Sequence, residues 1–145
     1  MSDTQTLRGF ATISYWADDL EAAKEWYSQF LGIDPYFQVD VPHLGRPAYY
    51  EFRIGDYQHE LGLIDSSYAP DGATNGPAGA IMYWHVDDVP ATLEKLLSMG
   101  ANEHQAPTER GEGFITASVV DPFGNILGIM QNPHYLEILE SMQAG

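Results

Sequence analysis

The sequence predicts an α+β fold, two tandem βαβββ modules within a single domain of 145 residues. Three internal correspondences carry this expectation. The octet ISYWADDL, Ile13 to Leu20, matches MYWHVDDV, Met82 to Val89, which places Asp18 and Asp87 at an offset of 69. Each octet leads into a helical pattern that ends in a glycine, Gly32 and Gly100. The stretch ELGLI, Glu60 to Ile64, matches ILGIM, Ile126 to Met130, which places Gly62 and Gly128 at an offset of 66. Features aligned in the same order favour duplication, with copies at about 9–66 and 79–132, over chance likeness between short apolar strands.

The elements follow in order. Phe10 to Trp16 is aromatic and β-branched, which suits a strand. Asp18 with Glu21 three residues later has the form of a capping box. Leu20, Ala23, Trp26, Tyr27, Phe30 and Leu31 then recur at helical spacing, and Gly32 supplies the stop. Strands are expected at about 36–41, 48–55 and 58–64. Ser66 to Gly79, with three glycines and two prolines, reads as a linker centred on 67–78. In the second copy Asp87 or Asp88 caps the helix and Pro90 lies in its permissive first turn. Val89, Leu93, Leu96 and Leu97 form that helix's apolar stripe, and strands follow at about 102–106, 113–120 and 125–131. A short C-terminal helix is expected at about 133–143, with Leu136, Ile138, Leu139 and Met142 on its apolar face.

Composition narrows the function. With 44% hydrophobic and 12% aromatic residues the chain can build a core, so disorder is not expected. Six basic against 21 acidic residues give a formal charge of −15, a field that repels nucleic acid and anionic membrane surfaces. A neutral or cationic small molecule is the easier partner. Cysteine is absent, which removes disulfides, thiolate nucleophiles and cysteine-held metal sites. The longest apolar run, Ala78 to Trp84, is far too short to span a bilayer. Residues 1–8 lack the apolar segment of a signal peptide, so the expected location is cytoplasmic. No GxSxG, strand-borne GxGxxG, P-loop or HExxH motif occurs.

The duplicated unit, its Asp-Asp helix starts and the turn Asp121-Pro122-Phe123-Gly124-Asn125 together resemble the vicinal oxygen chelate superfamily, over about 9–132. That group holds glyoxalase I, the bleomycin-resistance proteins and the extradiol dioxygenases. The resemblance implies an open, curled half-barrel around a cavity, usually completed as a homodimer. It also implies metal ligands at two kinds of position. Seven residues before the helix-start Asp fall Thr12 and Ile81; in the middle of the last strand fall Gly62 and Gly128. A divalent ion needs nitrogen, sulfur or carboxylate ligands, and none of the four residues is a competent one. The sequence therefore expects no metal and no cofactor.

Strand alternation, phased on those positions, defines the cavity face. It holds Thr12, Ser14 and Trp16, then Glu60, Gly62 and Ile64, with Glu51 and Arg53 on the third strand. In the second copy it holds Ile81, Tyr83 and His85, then Ile126, Gly128 and Met130, with Thr116 and Ser118. Tyr50, Phe52 and Ile54, and likewise Ile115, Ala117 and Val119, are expected to pack against the helices. The ligand-binding candidates are Trp16, Glu51, Arg53, Glu60, Tyr83, His85 and Met130. Arg110 and Phe114 join them from a glycine-rich loop, expected at the pocket rim. Glu60 and His85 are the candidate acid and base, since histidine titrates near neutral pH. His59 and Glu60 are strand neighbours that point to opposite faces, which speaks against a His59–Glu60–His85 metal site. The leading function is sequestration of a small organic molecule in a metal-free, acidic and aromatic cavity. The alternatives are a lyase, isomerase or dioxygenase-like enzyme using Glu60 and His85 or an atypically held metal, and a dimeric regulatory protein with a vestigial cavity.

Overall fold

The computed structural model describes residues 5–73 and 76–144. The chain divides into two compact units, Met1–Tyr68 and Ala69–Gly145, with the boundary inside the expected linker. Each unit is a βαβββ module with a four-stranded mixed sheet, so the architecture is α+β.

The first unit runs β1 (Thr12–Ala17), α1 (Leu20–Leu31), β2 (Phe37–Val41), β3 (Arg46–Ile54) and β4 (His59–Asp65). Its sheet order is β1-β4-β3-β2, with β1 parallel to β4 and the other pairs antiparallel. The parallel pair requires a crossover, and α1 lies within it. The helix cap is Asp19, not Asp18: its carboxylate accepts the Ala22 N–H at 3.1 Å. With Asp19 as cap, Glu21 falls at the second helical position and not the third, so no capping box forms; its carboxylate accepts the Tyr50 phenol instead. Gly32 ends the helix at φ 73° and donates its N–H to the Ser28 carbonyl at 2.9 Å. Leu20, Ala23 and Tyr27 of α1 are buried, as are Tyr15, Phe52, Leu61 and Leu63 of the sheet. Each large side chain so buried contributes roughly 1.5–3 kcal/mol. That face of the sheet is therefore committed to packing.

The second unit runs β5 (Tyr83–His85), α2 (Val89–Ser98), β6 (Asn102–Gly111), β7 (Phe114–Val120), β8 (Ile126–Gln131) and α3 (Pro133–Ala144). Its order, β5-β8-β7-β6, repeats that of the first unit. Asp88 caps α2 through the Ala91 N–H at 3.0 Å, and Pro90 lies in the first turn. Val89, Leu93 and Leu96 are buried, but Leu97 is exposed. Opposite α2 in the core lie Ala117, Val119, Leu127 and Ile129. Asp121 ties its turn by accepting the N–H groups of Phe123 and Asn125, both at 2.9 Å.

Three expectations change here. β5 has only three residues, so Ile81 precedes the strand. β6 continues to Gly111, beyond the expected end at 106, with register shifts between Gln105 and Thr108 that absorb the donorless Pro107. Arg110 to Phe114 is consequently not an open loop: Gly111 pairs with Phe114 across a hairpin turn, with Gly113 at φ 82°. On α3, Leu136, Ile138 and Met142 are exposed. Among the described residues no helix is long and apolar enough to cross a membrane.

Candidate functional site

Residues paired across strands share a face. In the first unit three rows cross the sheet on the side away from its core. They are Trp16–Ile64–Tyr49–Val39, Ser14–Gly62–Glu51–Phe37 and Thr12–Glu60–Arg53. The expected cavity face is therefore one continuous face, and it carries Trp16, Glu51, Arg53 and Glu60 together.

Glu51 is the centre of a polar cluster on that face. Its residue is only 9% exposed, and one carboxylate oxygen accepts the Tyr49 phenol while the other accepts the Tyr36 phenol. Tyr36 Oη also lies 3.2 Å from Glu60 Oε2. The Arg53 guanidinium covers the Tyr36 ring at 4.4 Å, with Nη2 donating to Tyr36 Oη at 3.4 Å and 3.9 Å from Glu60 Oε2. Phe37 extends the aromatic surface, with its ring centroid 6.1 Å from that of Tyr36 and 6.3 Å from that of Tyr49.

The protonation states follow from these contacts. Burial pushes the Glu51 carboxyl up, but the bonds from Tyr36 and Tyr49 outweigh it and hold the group below the usual carboxylate range. Burial, then the Glu51 bond, raises the Tyr49 phenol. The bond to Glu51 is the main cause that raises Tyr36. Glu51 is thus ionised and both phenols keep their protons near neutral pH. The cluster is a fixed anionic acceptor lined by aromatic rings, well suited to binding a positive charge.

The metal that the resemblance implies does not fit this chain. At Gly62 an added Cβ would lie 2.6 Å from Tyr49 Oη and 2.8 Å from Tyr49 Cε1. The Tyr49 ring therefore fills the place from which a ligand on β4 would project. At Gly128 a Cβ would lie 2.6 Å from the Met82 carbonyl oxygen and 2.9 Å from Ile81 Cγ2. Among the described residues no three His, Cys, Asp or Glu side chains gather for an ion.

The remaining candidates lie in the second unit. Tyr83 and His85 share a face with Gly128 and Met130. Tyr83 donates to Gln105 Oε1 at 2.7 Å, and the fully buried Ser118 donates to the same oxygen at 3.0 Å. His104 Nδ1 lies 2.9 Å from Ser118 Oγ. Arg110 donates to Thr116 at 3.0 Å, and Phe114 meets the His134 ring edge-on at 5.0 Å. His85 Nδ1 accepts the Asn132 N–H at 3.2 Å, which places its proton on Nε2. Its ring stacks on Tyr135 at 4.6 Å, and Nε2 lies 3.7 Å from Asp87 Oδ1. A cleft of about 160 Å³ adjoins it, lined by His85, Asp87, Gly113, Asn132, Pro133 and Leu136 among others.

The candidates thus fall into two sets: Trp16, Glu51, Arg53 and Glu60 share one face of the first unit, whereas Tyr83, His85, Arg110, Phe114 and Met130 lie in the second, where Tyr83, His85, Arg110 and Phe114 each have different partners. Sequence reading missed Tyr36, Phe37 and Tyr49. Alternation from Glu51 and Arg53 already places Tyr49 on their face. Tyr36 precedes β2, where no period fixes a side chain's direction.

Residues 9–129 match the model of the Glyoxalase/Bleomycin resistance protein/Dioxygenase superfamily. No curated protein matches the chain at a significant level. Among solved structures it is similar to a glyoxalase-related enzyme from Fulvimarina pelagi, with 21% identity over 88% of this chain and 90% of that one, at a TM-score of 0.66. It is also similar to lactoylglutathione lyase from Agrobacterium tumefaciens, with 19% identity, 87% and 95% coverage and a TM-score of 0.63. TioX from Micromonospora sp. ML1 shares 14% identity, with 85% and 98% coverage and a TM-score of 0.61. At these identities the likeness speaks for the fold.

Proposed function

The chain belongs to the Glyoxalase/Bleomycin resistance protein/Dioxygenase superfamily, and from that premise we propose that it binds a small organic cation without a metal. The observation that carries this reading is Glu51, ionised and clasped between two phenols on an aromatic face. Glu60 adds a second carboxylate, and Arg53 offsets one of the two charges. A cation over such rings gains roughly 0.5–2 kcal/mol. The chain's overall charge of −15 steers cations toward it. The ligand is sequestered, not transformed. The same reading makes the protein a homodimer, in which a second copy covers the exposed Leu136, Ile138 and Met142.

The enzyme alternative rests on His85, whose buried Nε2 has no hydrogen-bond partner among the described residues. Its other candidate, Glu60, is paired with the Arg53 guanidinium at 3.9 Å. That engagement favours the binder.

Thermal-shift measurements with benzyltrimethylammonium, benzyl alcohol and benzoate test the reading. The ammonium should raise the melting temperature most, and its advantage should shrink at high salt as screening grows. Greatest stabilisation by benzoate would sink the reading and make the arginines the recognition groups.

A further inference from the structure

We propose that Arg53 is a built-in competitor for this cation site, and that the ligand is an aromatic guanidinium or amidinium that displaces it. The inference rests on the cation-binding reading above. Arg53 already shows what the site accepts: a planar, delocalised cation lying 4.4 Å from the centre of the Tyr36 ring and facing the Glu60 carboxylate.

The Arg53 contacts are loose. Among the described residues its guanidinium lies 3.4 Å from Tyr36 Oη and 3.9 Å from Glu60 Oε2, both longer than a good charge-assisted hydrogen bond. Half of its side chain is exposed, so the guanidinium has solvent to swing into. A free amidinium is not tethered to β3. It can turn its two N–H groups onto both oxygens of Glu60, the bidentate arrangement that Arg53 does not reach here. Glu51 stays in place throughout, because Tyr36 and Tyr49 hold it independently of Arg53. Arg53 then serves two purposes: it offsets one of the two carboxylate charges, and it raises the threshold for entry so that weakly held cations do not occupy the site.

Benzamidine is the probe, titrated into the wild-type protein and Arg53→Gln by calorimetry. Arg53→Gln should bind it about two- to fivefold more tightly, the span of an exposed cation–π contact no longer contested. In the wild type, saturating benzamidine should move the Arg53 Nε–H NMR signal to a solvent-exposed position, which a change in net charge alone would not do. Equal or weaker binding by Arg53→Gln, or an Arg53 signal that stays put while benzamidine binds, overturns the displacement and leaves the cation site standing. Absence of binding to both proteins overturns the cation site and this inference with it. Circular dichroism of Arg53→Gln checks that the fold is intact.

Discussion

Glutamate at position 128 should destabilise the protein and should not create a metal site. Gly128 packs against the segment that leads into β5: its N–H donates to the Met82 carbonyl at 3.0 Å, and any Cβ would lie 2.6 Å from that oxygen. Backbone cannot swing aside as a side chain can, so the strands must part. Overpacking of this kind costs roughly 1–3 kcal/mol, with alanine already incurring most of it. Gly62 offers the contrast. The atoms that meet its Cβ belong to the end of the Tyr49 ring, which can rotate away. Gly62→Ala should therefore cost less stability than Gly128→Ala, while the displaced Tyr49 loses its hold on Glu51. Urea denaturation of the two alanine variants and Gly128→Glu, with metal analysis of the last, checks both statements. Near-equal stability of Gly128→Glu and wild type, or one bound ion per chain, would contradict the account.

Glu51→Gln should remove cation binding and most of the acid sensitivity that this site gives the fold. The amide brings no charge, and its NH₂ faces a phenol that had been donating to a carboxylate. Bonds to a charged acceptor are worth roughly 1.5–3 kcal/mol, and the exposure of Tyr36 reduces its share, so the expected loss at neutral pH is about 1–2 kcal/mol. Its pH dependence has a definite sign. The Glu51 carboxyl sits below its ordinary value of 4.5 in the folded protein. Its stabilising contribution is thus complete above that value and falls away as pH drops through the lower, folded-state value. The stability difference between wild type and Glu51→Gln should accordingly shrink as the solution is acidified below 4.5. A difference that stays constant or grows on acidification would show that the carboxylate is not held as described.

Much of the fold is legible because two periodicities act on a duplicated unit. Helical spacing in Leu20, Ala23 and Tyr27, and alternation in Phe52, Leu61 and Leu63, both mark buried faces. The shared face of Ser14, Glu51 and Gly62 follows from the same alternation. Local competition was harder to read. Asp18 and Asp19 are equivalent as letters, and only the chain's path selects Asp19 as the cap. The hairpin at Glu112–Gly113 depends on β6 being long enough to pair through a bulge, which Pro107 conceals. At the site, Glu51, Arg53 and Glu60 were legible as strand residues of known phase. Tyr36 is not, because alternation within the expected 36–41 strand turns it away from the face of Phe37, whereas in the structure it precedes β2 and reaches residues 15 and 24 positions away.

On the proposed reading, the face carrying Tyr36, Glu51 and Glu60 binds an organic cation without metal. NMR mapping of benzyltrimethylammonium on ¹⁵N-labelled protein, after dialysis against a chelator, tests it most directly. Saturable shifts are expected at the amides of residues 36–37, 49–53 and 60–62, and none of that pattern with benzoate. Shifts confined to residues around Tyr83 and His85, or an equal response of the Glu51 region to benzoate, would contradict it.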